Sequence, residues 1–343
     1  MPLLLADVFF VLDQSRAALD ATVGNDLKTI AEVAASEVAR FVQSKIVEVG
    51  LLASEGELRQ AAEAANQKYR GLSQEAAQQK LSEMERNWET PKASAAAAQL
   101  LASPTSAYLR DYLAINLCFK RLLLTDAWGA VIAASHKPSN YYHVDQDWWT
   151  ATFRDGAGGI HVGDVNYDSI SRTNFLAIDV PVLSRGRDQA IGVLRAIVDV
   201  EEMRPITGQI QVSAKGDAML VKDDGTIISS RNVALVMKQK AEELEVVASM
   251  AAERASGYTS ASLKGGAQKF IAFADPGLSQ AFPEVKWKVI VAQDLQEVRA
   301  PIARVTNRAL ATVFGGVLLF SLLAAYFSLN RPQKFTDIEG AGT

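Results

Sequence analysis

The chain has 343 residues, 49% hydrophobic and 22% charged, enough apolar material for a packed core of about two domains and too much for a disordered chain. Its 35 basic and 39 acidic residues give a net charge of −4, so no nucleic-acid partner is expected. One cysteine, Cys118, excludes an intrachain disulfide, a CxxC pair and a multi-cysteine zinc site, and three histidines leave little for any other metal site.

The chain opens on MPLLLADVFFVL, twelve residues that include Asp7. That is too short to cross a bilayer, and it lacks the basic start and small-residue cleavage site of a secretory signal. Residues 1–14 read as the surviving end of a longer first membrane span, with the apolar tip of the first helix as the alternative. Leu19, Val23, Leu27, Ile30, Ala34, Val38 and Phe41 then recur at steps of three and four, one stripe of an amphipathic helix. No proline stands between Pro2 and Pro91, so this helix is expected to exceed about forty residues and reach about 70 Å. Such a helix is longer than a compact domain and would serve as a spine for more than one. Segments 57–70 and 73–89 read as further helices, completing a helical region 15–116, with turns near Pro91 and Pro104.

After Asn116 the pattern shortens. Phe119–Thr125, Val131–Ala134, Ile160–Val165, Asn174–Val182 and Ile191–Val198 read as strands, followed by a second set at Ala218–Lys222, Thr226–Ser229, Gly257–Leu263, Lys269–Ala274 and Trp287–Ala292. Between the sets Val233–Arg254 reads as a helix. The two sets look duplicated. LLLTDAWGAVIAAS (122–135) matches MLVKDDGTIISS (219–230), and DVEEMRPI (199–206) matches DLQEVRAPI (294–302). The offsets, 97 from Asp126 to Asp223 and 95 from Asp199 to Asp294, nearly agree, so each lobe is expected to open on a hairpin and close on a strand leading into an acidic helix start.

From Ala309 to Leu329 run 21 residues without a charge, about 31 Å of helix and the thickness of a bilayer core. This reads as a transmembrane helix entered through a connecting helix at 295–308, with Pro301 in its first turns where its cost is small. Residues 330–343 would be a short cytoplasmic tail. Arg299, Arg304 and Arg308 precede the run and Arg331 and Lys334 follow it, a balance that leaves orientation undecided.

A long first helix, the hairpin Asp126–Ser135, the triplet Asp147-Trp148-Trp149, Val180-Pro181-Val182, Gly192-Val193-Leu194 and the strand Trp287–Asp294 occur in this order. Over roughly residues 15–330 the chain resembles a double Cache sensor, the tandem PAS-like extracytoplasmic domain of bacterial chemoreceptors, sensor kinases and cyclic-nucleotide enzymes. The resemblance implies an α+β fold: a long N-terminal helix, a membrane-distal ligand-binding lobe at 117–208, a membrane-proximal lobe at 209–294 and a C-terminal transmembrane helix. It places the chain in the inner membrane with its bulk in the periplasm, and implies a homodimer in contact with membrane lipid.

The resemblance also implies a small-molecule ligand held between the distal sheet and the segment around the tryptophan pair. Aromatic walls with a few polar groups suit such a site. Tyr141, Tyr142, His143, Asp145, Gln146, Asp147, Trp148, Trp149, Tyr167 and Asp168 concentrate there. Tyr142, Asp145, Asp147, Trp148, Trp149, Tyr167, Asp168 and Arg195 are the candidate ligand contacts. One tryptophan is expected to serve the core and the other the ligand, while Asp147 would equally serve as a helix N-terminal charge. The amino-acid sensors of the family carry an Arg two residues before the first aromatic and an Asp in the later strand. Here those slots hold Gln146 and Ile197, so a free α-amino acid is not expected, and the acidic, aromatic make-up of 141–168 favours an uncharged or cationic ligand.

No catalytic residue, cofactor or metal is expected. Asp164-x-Asn166-x-Asp168 opens like a calcium loop, but Ser169 replaces the turn glycine and Phe175 the bidentate Glu. Gly156–Gly159 lacks both phosphate-loop spacings, and no GxSxG, HExxH or kinase signature occurs. The residues after Leu329 leave no room for a signalling stalk or an output enzyme. The chain is then a truncated product, a sensor that hands its signal to a separate subunit, or an anchored binding protein. The rival class is a membrane-tethered assembly protein whose lobes bind a protein partner and no small ligand.

Overall fold

The computed structural model describes residues 2–88, 90–210, 212–213 and 216–330. The chain divides into two compact units, Gly24–Asp294, and the two ends, Met1–Val23 with Leu295–Thr343. Helix α1 spans Pro2–Ala53, 52 residues without a break. Within the larger unit its buried stripe is Leu27, Ala31, Ala34, Val38, Val42, Ile46 and Val49. Ile30 and Phe41, expected on that stripe, lie at its border and are half-buried.

Helices α2 (Gly56–Gln67) and α3 (Gln74–Asn87) fall where the composition places them. Pro91 and Pro104 do not sit in turns but open helices α4 (Pro91–Leu101) and α5 (Pro104–Ile115). Proline suits a first helical turn, where its missing N–H has no intrahelical partner to lose. Ser103 caps α5 by accepting the N–H of Ser106.

Two antiparallel sheets follow. The first is built from β1 (Phe119–Asp126), β2 (Val131–Ala134), β3 (His161–Val162), β4 (Asn166–Asp168), β5 (Thr173–Leu183) and β6 (Ala190–Asp199), with α6 (Asp147–Phe153) between β2 and β3. Its order is β2-β1-β6-β5-β3, and β4 also pairs with β5. After the short α7 (Arg204–Gly208) come β7 (Asp217–Val221), β8 (Ile227–Ser230), α8 (Glu242–Glu253), β9 (Ser256–Ser262), β10 (Gln268–Ala274) and β11 (Lys288–Asp294). The second order, β8-β7-β11-β10-β9, repeats the first.

The repetition extends to the hairpin turns. A register shift follows Leu124 in β1 and Leu220 in β7. Gly129 and Gly225 both take positive φ, 80° and 86°, which a glycine adopts without the steric cost of a Cβ. Their N–H groups donate to the carbonyls of Asp126 and Lys222, and isolated bridges join Ala130 to Tyr142 and Thr226 to Lys240. Asp126 is therefore equivalent to Lys222, not to Asp223, one position from the sequence alignment. That second bridge also explains why Val233–Arg254 is α-helical only in its latter half, after a single 3₁₀ turn at Val233–Leu235. Residues 237–241 run back along the hairpin, where Met237 and Ala241 donate to Ile227 and Gly225.

Helix α9 runs from Leu295 to Leu329. Among the described residues no helix is long and apolar enough to cross a membrane. The span expected at 309–329 is thus not found among them; three of its side chains, at 309, 310 and 313, lie outside the described residues. The tail from 331 lies outside them too, as do the side chains of residues 1–9 and 12 in the supposed first-span remnant.

Candidate functional site

Strands β1 and β6 pair with Leu123 opposite Arg195 and Arg121 opposite Ile197, and alternation along a strand turns all four side chains to one face. Helix α6 packs across β3, β5 and β6. The segment leading to it is tied down at several points. The Trp88 indole donates to the Pro138 carbonyl at 2.9 Å, and the Tyr141 and Tyr142 N–H groups donate to one oxygen of Glu85 at 2.6 and 2.8 Å. The His143 N–H donates to Gly129.

Between this cover and the sheet is a cavity of about 240 Å³. Arg121, Leu123, Arg195 and Ile197 form its floor with Phe175 of β5 and Asp168 of β4, while Asn140, His143, Gln146 and Trp148 form its cover. The Arg195 guanidinium lies 4.3 Å from the centre of the Trp148 ring, a cation–π contact strengthened by partial burial. Asp168 is nearly saturated. It takes the Arg121 guanidinium at 2.7 Å on one oxygen and the N–H and hydroxyl of Ser171 on the other. Burial pushes its carboxyl up, but the Ser171 bonds and the Arg121 charge outweigh that and hold it below the usual carboxylate range.

Asp179 of β5 stands behind Arg195 with no solvent exposure. Its Oδ2 accepts from Arg195 at 3.2 Å and from His161 at 2.9 Å, and His161 reaches Glu284 of the second lobe with its other nitrogen at 3.3 Å. Register explains the alignment: Leu123, Arg195, Asp179 and His161 are consecutive cross-strand partners on β1, β6, β5 and β3. A second joint lies beside it. Asp164 accepts from the Trp287 indole at 2.8 Å and pairs with Lys222 at 2.7 Å, and Lys222 also donates to the Val165 carbonyl.

Of the predicted contacts, Trp148, Asp168 and Arg195 line the cavity together. Trp149 does not. It is 4% exposed, stacks on Phe153 and donates its indole N–H to the Thr125 hydroxyl at 2.9 Å. Adjacent residues on a helix point about 100° apart, so one of the pair must leave the site. Tyr142 and Asp145 face a separate hollow against α3. Asp147 is an exposed first-turn charge on α6, and Tyr167 is 61% exposed on β4. With Asp145, Asp147 and Tyr142 elsewhere, the argument for a cationic ligand fails: the lining holds two guanidiniums and one carboxylate. The case against an α-amino acid is weakened likewise, because the lining arginines come from β1 and β6 and not from the slot at 146. Sequence reasoning missed Arg121 as a site residue. Its signal was a guanidinium two residues before Leu123 on the floor side of an apolar strand.

The second lobe has a hollow of about 340 Å³ between its hairpin and α8. Among the described residues, four buried side-chain polar atoms lack a partner, and all four belong to the first lobe, on Asp126, His143 and Asp179. Of these residues His143 lines the cavity, and buried polar groups need partners, so the first cavity is the better candidate.

A Cache domain model matches residues 15–302, and the chain belongs to the double Cache family. Solved structures of similar fold include the ligand-binding domain of the Pseudomonas aeruginosa PAO1 amino acid chemoreceptor PctC in complex with GABA, at 20% identity over 79% of this chain and 99% of that one, with a TM-score of 0.50. The ligand-binding domain of the Campylobacter jejuni chemoreceptor Tlp3 in complex with L-norvaline is 13% identical over 83% and 96%, with a TM-score of 0.52. An extracellular domain described as that of a histidine kinase, rpHK1S-Z16, is 14% identical over 80% and 95%, also at 0.52. At these identities the likeness is one of fold. No curated protein matches the chain in sequence.

Proposed function

We propose that this chain is a membrane-anchored extracytoplasmic sensor whose first lobe binds a small carboxylate. The observation that carries the reading is the Arg195–Trp148 pair over a cavity of about 240 Å³, sized for a metabolite and lined by more positive than negative charge. Guanidinium N–H groups suit a carboxylate, singly or in pairs. The similar PctC and Tlp3 domains hold GABA and L-norvaline, which supports admitting amino acids to the candidate ligands.

Occupancy would reach the second lobe through the row already described. A ligand that draws Arg195 toward itself takes a partner from Asp179, which then leans on His161 and, through it, on Glu284. The ligand's differential contact with the two arrangements is what a population shift requires. The uncharged run 309–329, three of whose side chains lie outside the described residues, supports an inner-membrane anchor. Exposed Val33, Val47 and Leu51 on α1 are consistent with a homodimer.

A thermal-shift screen of the full-length chain tests the reading. Saturable stabilisation by small carboxylates is expected, since a ligand that binds only the folded state raises its stability by mass action. Trp148→Ala should leave the fold intact and abolish the shift. Stabilisation that survives this substitution, or none with any carboxylate, rejects the assignment.

A further inference from the structure

His143 lies within the cavity cover with 8% of its surface exposed, and neither ring nitrogen has a hydrogen-bond partner. Its ring packs 5.2 Å from that of Trp148, centre to centre, so the imidazole sits beside the Arg195 cation. Burial, followed by the charge of Arg195, pushes its pKa down to about 4. The nearby Asn140 carbonyl pulls the other way without forming a hydrogen bond of normal geometry. At neutral pH the ring is therefore uncharged, with one N–H and one lone pair. Two unmet polar atoms in a buried wall are costly in isolation. A ligand group that donates or accepts there recovers that cost, and an apolar group of the same size does not.

We propose that His143 is a specificity-determining residue, selecting carboxylates that carry a hydroxyl or amino group on the carbon next to the carboxylate over those that carry only hydrogen or alkyl there. The inference rests on reading the cavity as a carboxylate site. With the carboxylate held at Arg195, which lies over the same Trp148 ring that His143 touches, a substituent one bond away lies toward the imidazole. Asp168 is a weaker candidate for the role, because Arg121 and Ser171 already occupy both its oxygens.

The test is isothermal titration of the full-length chain with C3 to C6 monocarboxylates in three matched series: unsubstituted, 2-hydroxy and 2-amino. The wild-type chain should bind a substituted series about tenfold or more tighter than the unsubstituted one, the scale of one recovered buried hydrogen bond. His143→Phe, which keeps the flat ring and removes both nitrogens, should erase that gap, read as the ratio of substituted to unsubstituted affinity within the same variant. If His143→Phe does not fold, His143→Leu tests the same loss. Carboxylate binding with no gap in the wild type, or with a gap that survives in the variant, overturns the role of His143 and leaves the carboxylate reading standing. Absence of binding in all three series overturns both.

Discussion

Asp179→Ala is expected to destabilise the protein by about 3 kcal/mol and to weaken ligand binding at the same time. Removing one member of a buried charge cluster typically costs about 3–5 kcal/mol, because the partners keep their desolvation without their compensation. Here Asp179 is fully buried while the side chains of Arg195 and His161 keep 19% and 15% exposure, so water relieves part of the loss and the lower end applies. Chemical denaturation measures the first effect. The second follows because Arg195, released from Asp179, is no longer held in register over Trp148. The same contact gives a pH dependence. The His161 pKa is raised, chiefly by its hydrogen bond to Asp179 against the opposing effect of burial, with Glu284 adding to the rise. A histidine raised on folding contributes stability that is complete below its unfolded value of about 6.5 and is lost as pH rises through the folded value. His161→Gln should therefore cost more at pH 5.5 than at pH 8. A cost that is equal at both, or larger at pH 8, would remove the charged bridge to Glu284 from the account.

Trp287→Ala should be of similar or greater severity, about 3–5 kcal/mol, the range for deleting a large buried aromatic. Trp287 is 1% exposed, and its indole holds Asp164 of the first lobe. The substitution thus removes both packing under the second sheet and one side of the joint between lobes. Trp287→Phe separates the two effects, keeping most of the volume and losing only the hydrogen bond. It should cost about 1 kcal/mol, yet weaken the transfer of a ligand-induced change to β11. If Phe costs as much as Ala, the indole N–H and not the packing dominates, and the joint is more polar than described.

Much of this was legible in the sequence because apolar alternation reports burial locally. Nine of the ten expected strands appear with bounds within two residues, Ile160–Val165 shrinks to the two-residue β3, and the duplicated hairpins sit in matching places in two sheets of the same order. The three-residue β4 was not legible: Asn166–Asp168 has no apolar run, and only its pairing with β5 makes it a strand. The site was half legible. Composition around 141–149 marks the cover, but it cannot say which side of the cover a residue faces. Tyr142, Asp145 and Asp147 share the stretch with Trp148 and point elsewhere. The floor depends on register between strands some seventy positions apart, such as Leu123 with Arg195, and a single sequence carries no record of that pairing. Asp179 and His161 were invisible for the same reason. Each reads as an isolated polar residue until β3, β5 and β6 are laid side by side.

The most direct test of the account compares the wild-type chain with Arg195→Met by calorimetric titration against small carboxylates. Methionine preserves an apolar stem against Trp148 and removes the cation. One saturable site in the wild type, weakened at least tenfold in the variant while folding is retained, is the predicted result. Equal affinity in both proteins would contradict it, since the guanidinium over the tryptophan would then take no part in holding the ligand.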